Sequence, residues 1–91
     1  MDIFEELYNV IMDRKANPVE GSYTNYLLNK GTEKIAKKVG EEAVETAIAA
    51  AKKDKNEVVA EIADVQYHLL VLMADMGITL EDLSKELKNR R

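Results

Sequence analysis

At 91 residues the chain suits one small domain, and with 46% apolar residues it has the material for a real core. It has no cysteine, which excludes a disulfide frame and a thiolate metal site, and its formal net charge of −4 argues against a nucleic-acid partner. Asp2, Glu5 and Glu6 interrupt any apolar leader, and the most apolar stretch, Leu69 to Met76, is far too short to span a bilayer, so a soluble cytoplasmic protein with no membrane partner is expected.

One proline and four glycines leave few breaks, and helix formers dominate. Helix one is predicted from about Asp2, its cap, to Lys15, with Ile3, Leu7, Val10 and Ile11 as its apolar stripe. Asn17-Pro18-Val19-Glu20-Gly21 is a loop by its breakers. Ser22 caps a short second helix that ends before Gly31. Helix three runs from about Thr32 to Lys53. Helix four opens on an Asp54…Glu57 capping-box pattern and stops at Gly77. Thr79…Asp82 repeats that pattern for helix five, with Ile78 and Leu83 as a hydrophobic staple. With no strand, repeat or internal boundary, the expected architecture is an all-α bundle of about five helices in one domain, residues 1–91.

Two carboxylate motifs stand on successive helices: Glu41-Glu42-Ala43-Val44-Glu45, then Glu61-Ile62-Ala63-Asp64. Residues three or four apart share a helix face, so Glu42 projects with Glu45, and Glu61 with Asp64. If the chain folds back around Asp54, Glu45 lies nine positions before the turn, and Glu61 and Asp64 lie seven and ten after it. At about 1.5 Å of rise per residue, the three acids are level to within roughly one turn. Their surroundings are apolar. Glu42 falls amid Ile35, Val39, Thr46 and Ala49; Glu61 falls in the line of Val58, Val65, Leu72 and Met76, with His68 on the same stripe. Carboxylates there are costly and repel one another unless something positive compensates them. Internal pairing with Lys or Arg, or a solvated acidic rim, would serve for one motif. For four or five acids converging from two helices, a divalent cation is the better reading.

Helix four carries a second message. Val58, Val59, Ile62, Val65 and the run from Leu69 to Met73 leave it almost no polar side, and a helix apolar all round is buried all round. So short a chain hardly covers it alone; an obligate helical homodimer is expected. Upstream of the acids, Lys30, Lys34, Lys37 and Lys38 lead into the proposed cation site. Lysines beside a carboxylate-held metal are what a polyphosphate requires, and hard oxygen ligands favour magnesium or manganese over zinc.

These residues identify a family. Gly21-Ser22-Tyr23-Thr24, Lys30-Gly31, Lys34-Ile35, Lys37-Lys38-Val39-Gly40-Glu41-Glu42 and Glu45, then Glu61, Ala63-Asp64, Tyr67-His68, Val71-Leu72 and Gly77 closely resemble the phosphoribosyl-ATP pyrophosphohydrolases of histidine biosynthesis. That family lies within the all-α nucleoside-triphosphate pyrophosphohydrolases. The resemblance covers practically the whole chain without departure at those positions, and matches the stand-alone form of the enzyme. It implies hydrolysis of phosphoribosyl-ATP at the α–β phosphoanhydride, with Glu42, Glu45, Glu61 and Asp64 as magnesium ligands. Glu41, turned about 100° from Glu42, would assist from outside the ligand set. A free oxygen of Glu42 or Glu45 would take the attacking water's proton.

Ser22 reads equally as helix cap and ligand contact. Tyr23 and Thr24 are expected to touch substrate, as are Lys30, Lys34, Lys37 and Lys38. His68 is either a satisfied core group or a substrate contact, and Tyr67 points elsewhere, towards an interface. Two rival functions remain at this level: a general nucleotide pyrophosphohydrolase of the same superfamily, and a non-catalytic helical dimer whose acids pair with the lysines.

Overall fold

A computed structural model of the chain describes residues 2–91. Five helices follow one another, α1 (Ile3–Ala16), α2 (Tyr23–Lys30), α3 (Thr32–Lys52), α4 (Lys55–Met76) and α5 (Leu80–Arg90), and there is no strand among the described residues. The caps fall where short polar side chains precede each apolar run. Asp2 accepts from the Glu5 amide at 2.9 Å, Ser22 from Asn25 at 3.2 Å, Asp54 from Glu57 at 3.2 Å and Thr79 from Asp82 at 3.0 Å. Each satisfies a donor that a helix start leaves orphaned, worth about 1 kcal/mol. Thr79 completes its box, its amide donating to Asp82 at 2.9 Å. The box expected at Asp54 is half-built, because the Glu57 carboxylate lies 3.4 Å from Lys52 instead of turning back to the Asp54 amide.

Helix ends are equally local in origin. Gly77 takes φ 72°, and the amides of Gly77 and Ile78 reach back to Ala74 at 3.4 Å and Met73 at 2.8 Å, a complete Schellman closure. Ile78 then packs on the core, where its carbonyl accepts the Tyr8 hydroxyl at 2.7 Å. Leu83, the other half of the expected staple, is 45% exposed; of α5, Leu80 packs against the core, and no residue of the helix is buried.

Gly31 is the tightest joint. It ends α2 and begins α3, at φ 93° and ψ −179°, a region essentially restricted to glycine. A Cβ there would meet nothing within 4 Å, so the restriction is conformational and not steric. Gly31→Ala is therefore expected to cost about 1–3 kcal/mol, read as a lower midpoint in chemical denaturation.

The core gathers at one end of the molecule. Ile11 of α1, Leu27 of α2, Ile35 of α3 and Leu70, Val71, Met73 and Ala74 of α4 form one buried cluster. Lys15 donates to the Ala74 carbonyl at 2.8 Å, where the C-terminal end of α4 favours a cation, and Thr32 bonds Asp75, so α1 and α3 are both pinned to that end. Away from the core, α3 and α4 continue as a hairpin around Lys53, which adopts a left-handed φ of 58°. Ala49 is its buried contact, while Val44, Ile48, Val59 and Ile62 face outward, 45–60% exposed. The expectation that α4 is buried all round is thus not met within one chain. The chain exposes 6417 Å², against about 5,400 Å² for a compact monomer of 10.3 kDa. Its radius of gyration, 14.1 Å, likewise exceeds the roughly 12 Å expected of a compact chain this long.

Candidate functional site

The α3–α4 hairpin sets the acids opposite one another. One oxygen from each of Glu42, Glu45 and Glu61 lies within 4.8 Å of the others. Glu42 Oε2 and Glu61 Oε2 are buried and have no hydrogen-bond partner. Asp64, one turn beyond Glu61, is exposed and stands outside this group of three, yet its charge still bears on both Glu42 and Glu61. Burial raises the Glu42 carboxyl above its ordinary pKa, the neighbouring Glu45 and Asp64 raise it further, and His68 partly opposes them. Burial does the same to Glu61, reinforced by contact with Glu45 and by the charges of Asp64 and Glu42.

Among the described residues no Lys or Arg pairs with Glu42, Glu45, Glu61 or Asp64. Lys38 instead pairs with Glu41 at 3.7 Å, Lys52 with Glu57, and Lys30 lies over the Tyr26 ring. Lys34 is half-buried; Lys37 is exposed and lines, with Glu45, an open hollow on the outer face of α3. Internal pairing with the lysines, the basis of the non-catalytic reading, is absent here. Clustered carboxylate oxygens, two of them buried and unpartnered, are a fitting donor set for a hard divalent cation.

A hydrogen-bonded group from α2 and α4 borders the acids. His68 is buried; its Nδ1 donates to the Asp64 carbonyl at 2.7 Å, and its Nε2 shares a hydrogen bond of 3.0 Å with the Tyr23 hydroxyl. Both nitrogens are engaged inside the chain. Burial holds the Tyr23 hydroxyl above its ordinary pKa against the pull of Lys38, with Tyr67, Glu42 and Tyr26 adding to the rise. Thr24 hydrogen-bonds the Tyr67 hydroxyl, and the Tyr67 ring stacks on Tyr23 at 6.2 Å. Tyr67 thus joins this group at its ring and hydroxyl, since residues 64, 67 and 68 share one face of α4. It also lines the apolar groove formed by Ile3, Phe4, Leu7, Val59 and Ile62, the expected place for an interface residue. Ser22 serves as the cap of α2, half-buried.

Sequence reasoning passed over Asn25. It is 6% exposed, accepts from the Val19 amide at 2.9 Å and donates to the Arg14 carbonyl at 2.8 Å, so it ties the loop to the end of α1. The available signal was an amide side chain just after a proline-glycine loop whose backbone groups need partners.

The chain matches the family model described as phosphoribosyl-ATP pyrophosphohydrolase over residues 4–91. It is 54% identical over 91 residues to the phosphoribosyl-ATP pyrophosphatase of Clostridium novyi, covering 100% of this chain and 83% of that one. To the phosphoribosyl-ATP pyrophosphatase of Clostridium acetobutylicum it is 56% identical over 89 residues, 98% of this chain and 81% of the relative. It is also 60% identical over 84 residues to the histidine biosynthesis bifunctional protein HisIE of Thermoanaerobacter pseudethanolicus, 92% of this chain and 39% of that longer protein.

Proposed function

Because the chain belongs to the phosphoribosyl-ATP pyrophosphohydrolase family, we propose that it hydrolyses phosphoribosyl-ATP to phosphoribosyl-AMP and pyrophosphate, with magnesium held by Glu42, Glu45 and Glu61 and joined by Asp64. The observation that carries the metal assignment is the pair of buried, unpartnered oxygens on Glu42 and Glu61 with Glu45 between them. Manganese would satisfy the same donors.

When bound, the cation supplies Lewis-acid withdrawal of charge from phosphoryl oxygens and eases deprotonation of water. The chain's residues supply the rest. An oxygen of Glu42 or Glu45 left free of the cation takes the proton of the attacking water. Lys34, Lys37 and Lys38 precede Glu42 on α3, and in this reading they meet the negative charge of the departing pyrophosphate. Glu41 holds Lys38 at 3.7 Å and so steadies one of these cations without joining the acids. His68 acts through Tyr23, fixing its hydroxyl beside Glu42 and Lys38. Ser22 and Thr24 position the start of α2, on which Tyr23 and Lys30 ride.

A homodimer completes this reading. The excess of exposed surface and the apolar groove where Ile3, Phe4 and Leu7 of α1 meet Val59 and Ile62 of α4 support a second copy covering the hairpin. No helix among the described residues is long and apolar enough to cross a membrane.

The test is pyrophosphate release from phosphoribosyl-ATP, beside a panel of common nucleoside triphosphates, with and without magnesium. The expected result is metal-dependent release with phosphoribosyl-ATP preferred by at least about a hundredfold in kcat/KM, the size of a difference of two or more good contacts. Equal rates across the panel would favour a general nucleotide pyrophosphohydrolase.

A further inference from the structure

On α2, Tyr23, Tyr26 and Lys30 recur at i, i+3 and i+7 and so form one stripe. Such a stripe of rings ordinarily faces a core, but here Leu27 fills the core and the rings do not. Tyr23 and Tyr26 are 46% and 44% exposed, stacked with centroids 6.0 Å apart and planes at 21°. They line a hollow of about 710 Å³ closed on one side by the Pro18–Gly21 loop and on another by Asn29. Its size lies within the range of small-molecule sites, roughly 300–1,000 Å³. Tyr23 links the hollow to the acid-bearing helix α4, since its ring lines the hollow while its hydroxyl bonds His68 at 3.0 Å and His68 bonds the backbone of Asp64.

We propose that this hollow is the subsite for the purine base of the substrate, with Tyr26 as the stacking surface and Lys30 as the contact for the phosphate on the added pentose. The assignment rests on the hydrolase reading above and deepens it by orienting the substrate. A nucleotide whose anhydride lies among Glu42, Glu45 and Glu61 extends past Tyr23 along α2, which brings its base to Tyr26. Tyrosine rings offer a flat face to any base, and the exposed Asn29 amide carries both a donor and an acceptor for the base edge. Lys30, exposed and 5.7 Å from the Tyr26 centroid, is held by a weak surface contact that a phosphate readily replaces. The substrate differs from ATP by a phosphorylated pentose on the base, and a cation beyond the base is what distinguishes the two.

The experiment measures KM for phosphoribosyl-ATP at saturating magnesium, and competitive inhibition by phosphoribosyl-AMP and by AMP, in the wild type and in Tyr26→Leu, Tyr26→Phe and Lys30→Ala. Tyr26→Leu keeps bulk but loses the ring; it is expected to raise KM and both inhibition constants about tenfold or more with little change in kcat. Tyr26→Phe, which keeps the ring, restores them. Lys30→Ala is expected to weaken phosphoribosyl-AMP about tenfold and leave AMP unchanged. Unchanged constants in Tyr26→Leu, or equal weakening of AMP and phosphoribosyl-AMP in Lys30→Ala, would overturn the assignment. Failure of the underlying reading is distinguishable, because the wild type itself would then release no pyrophosphate.

Discussion

Glu61→Gln is expected to reduce pyrophosphate release on the order of a thousandfold while leaving the metal-free protein no less stable than wild type. The two halves of that result have one cause. Glu61 brings a buried, unpartnered oxygen to within 4.8 Å of oxygens on Glu42 and Glu45, and like charges so close repel. Glutamine keeps the shape and removes the charge, which relieves the repulsion but takes a strong ligand from the proposed cation; several kcal/mol of charge stabilisation corresponds to the rate loss. Glu42→Gln should behave in the same way. The check is a paired measurement of kcat/KM with metal and of the unfolding midpoint in chelator. A variant that lost stability in chelator would mean that the carboxylates are structural.

Magnesium should raise the melting temperature of the wild type, and do so more strongly at higher pH. A ligand bound only by the native state adds about 2.7 kcal/mol at a hundred times its dissociation constant, a shift on the order of ten degrees for a domain of this size. The pH dependence follows from the raised proton affinities of Glu42 and Glu61. A group whose folded pKa lies above its unfolded value contributes its full stability below the unfolded value, about 4.3 for a glutamate, and loses it as pH rises through the folded one. The metal-free protein should therefore lose stability upward from that point. Metal binding needs the deprotonated acids, so its stabilisation grows over the same interval. Asp82, whose pKa is lowered by its bonds to Thr79, loses its contribution only as pH falls below the ordinary aspartate value, outside that interval. Differential scanning calorimetry with magnesium or chelator across this range tests the sign. Glu61→Gln should flatten both curves.

The helices were legible because their ends are local chemistry. Asp2, Ser22, Asp54 and Thr79 cap from within three residues of their partners, and Gly31 and Gly77 take backbone angles that other residues resist. The meeting of Glu45 with Glu61 was legible for a similar reason: a hairpin with one possible turn fixes which heights face each other, and Glu42 follows because it shares a helix face with Glu45. What sequence could not give is how far each helix is rotated about its axis. That rotation puts Asp64 outside the tight group although it is level with it, and turns Tyr67 towards Thr24. It also leaves Val59 and Ile62 uncovered while Val71 and Ala74 are sealed. That α5 buries none of its residues was equally hidden, because a capping box starts a helix without deciding what it packs on. Asn25 was missed because its two bonds reach backbone groups of a loop whose path no periodicity describes.

The most direct measurement is anomalous diffraction from a crystal soaked in manganese, a substitute for magnesium that can be located without ambiguity. The expected map has a peak between the carboxylates of Glu42, Glu45 and Glu61, with oxygen distances of about 2.0–2.2 Å and Asp64 drawn towards it. A map without that peak, with Glu42 and Glu61 paired to lysines or turned out to water, would contradict the account.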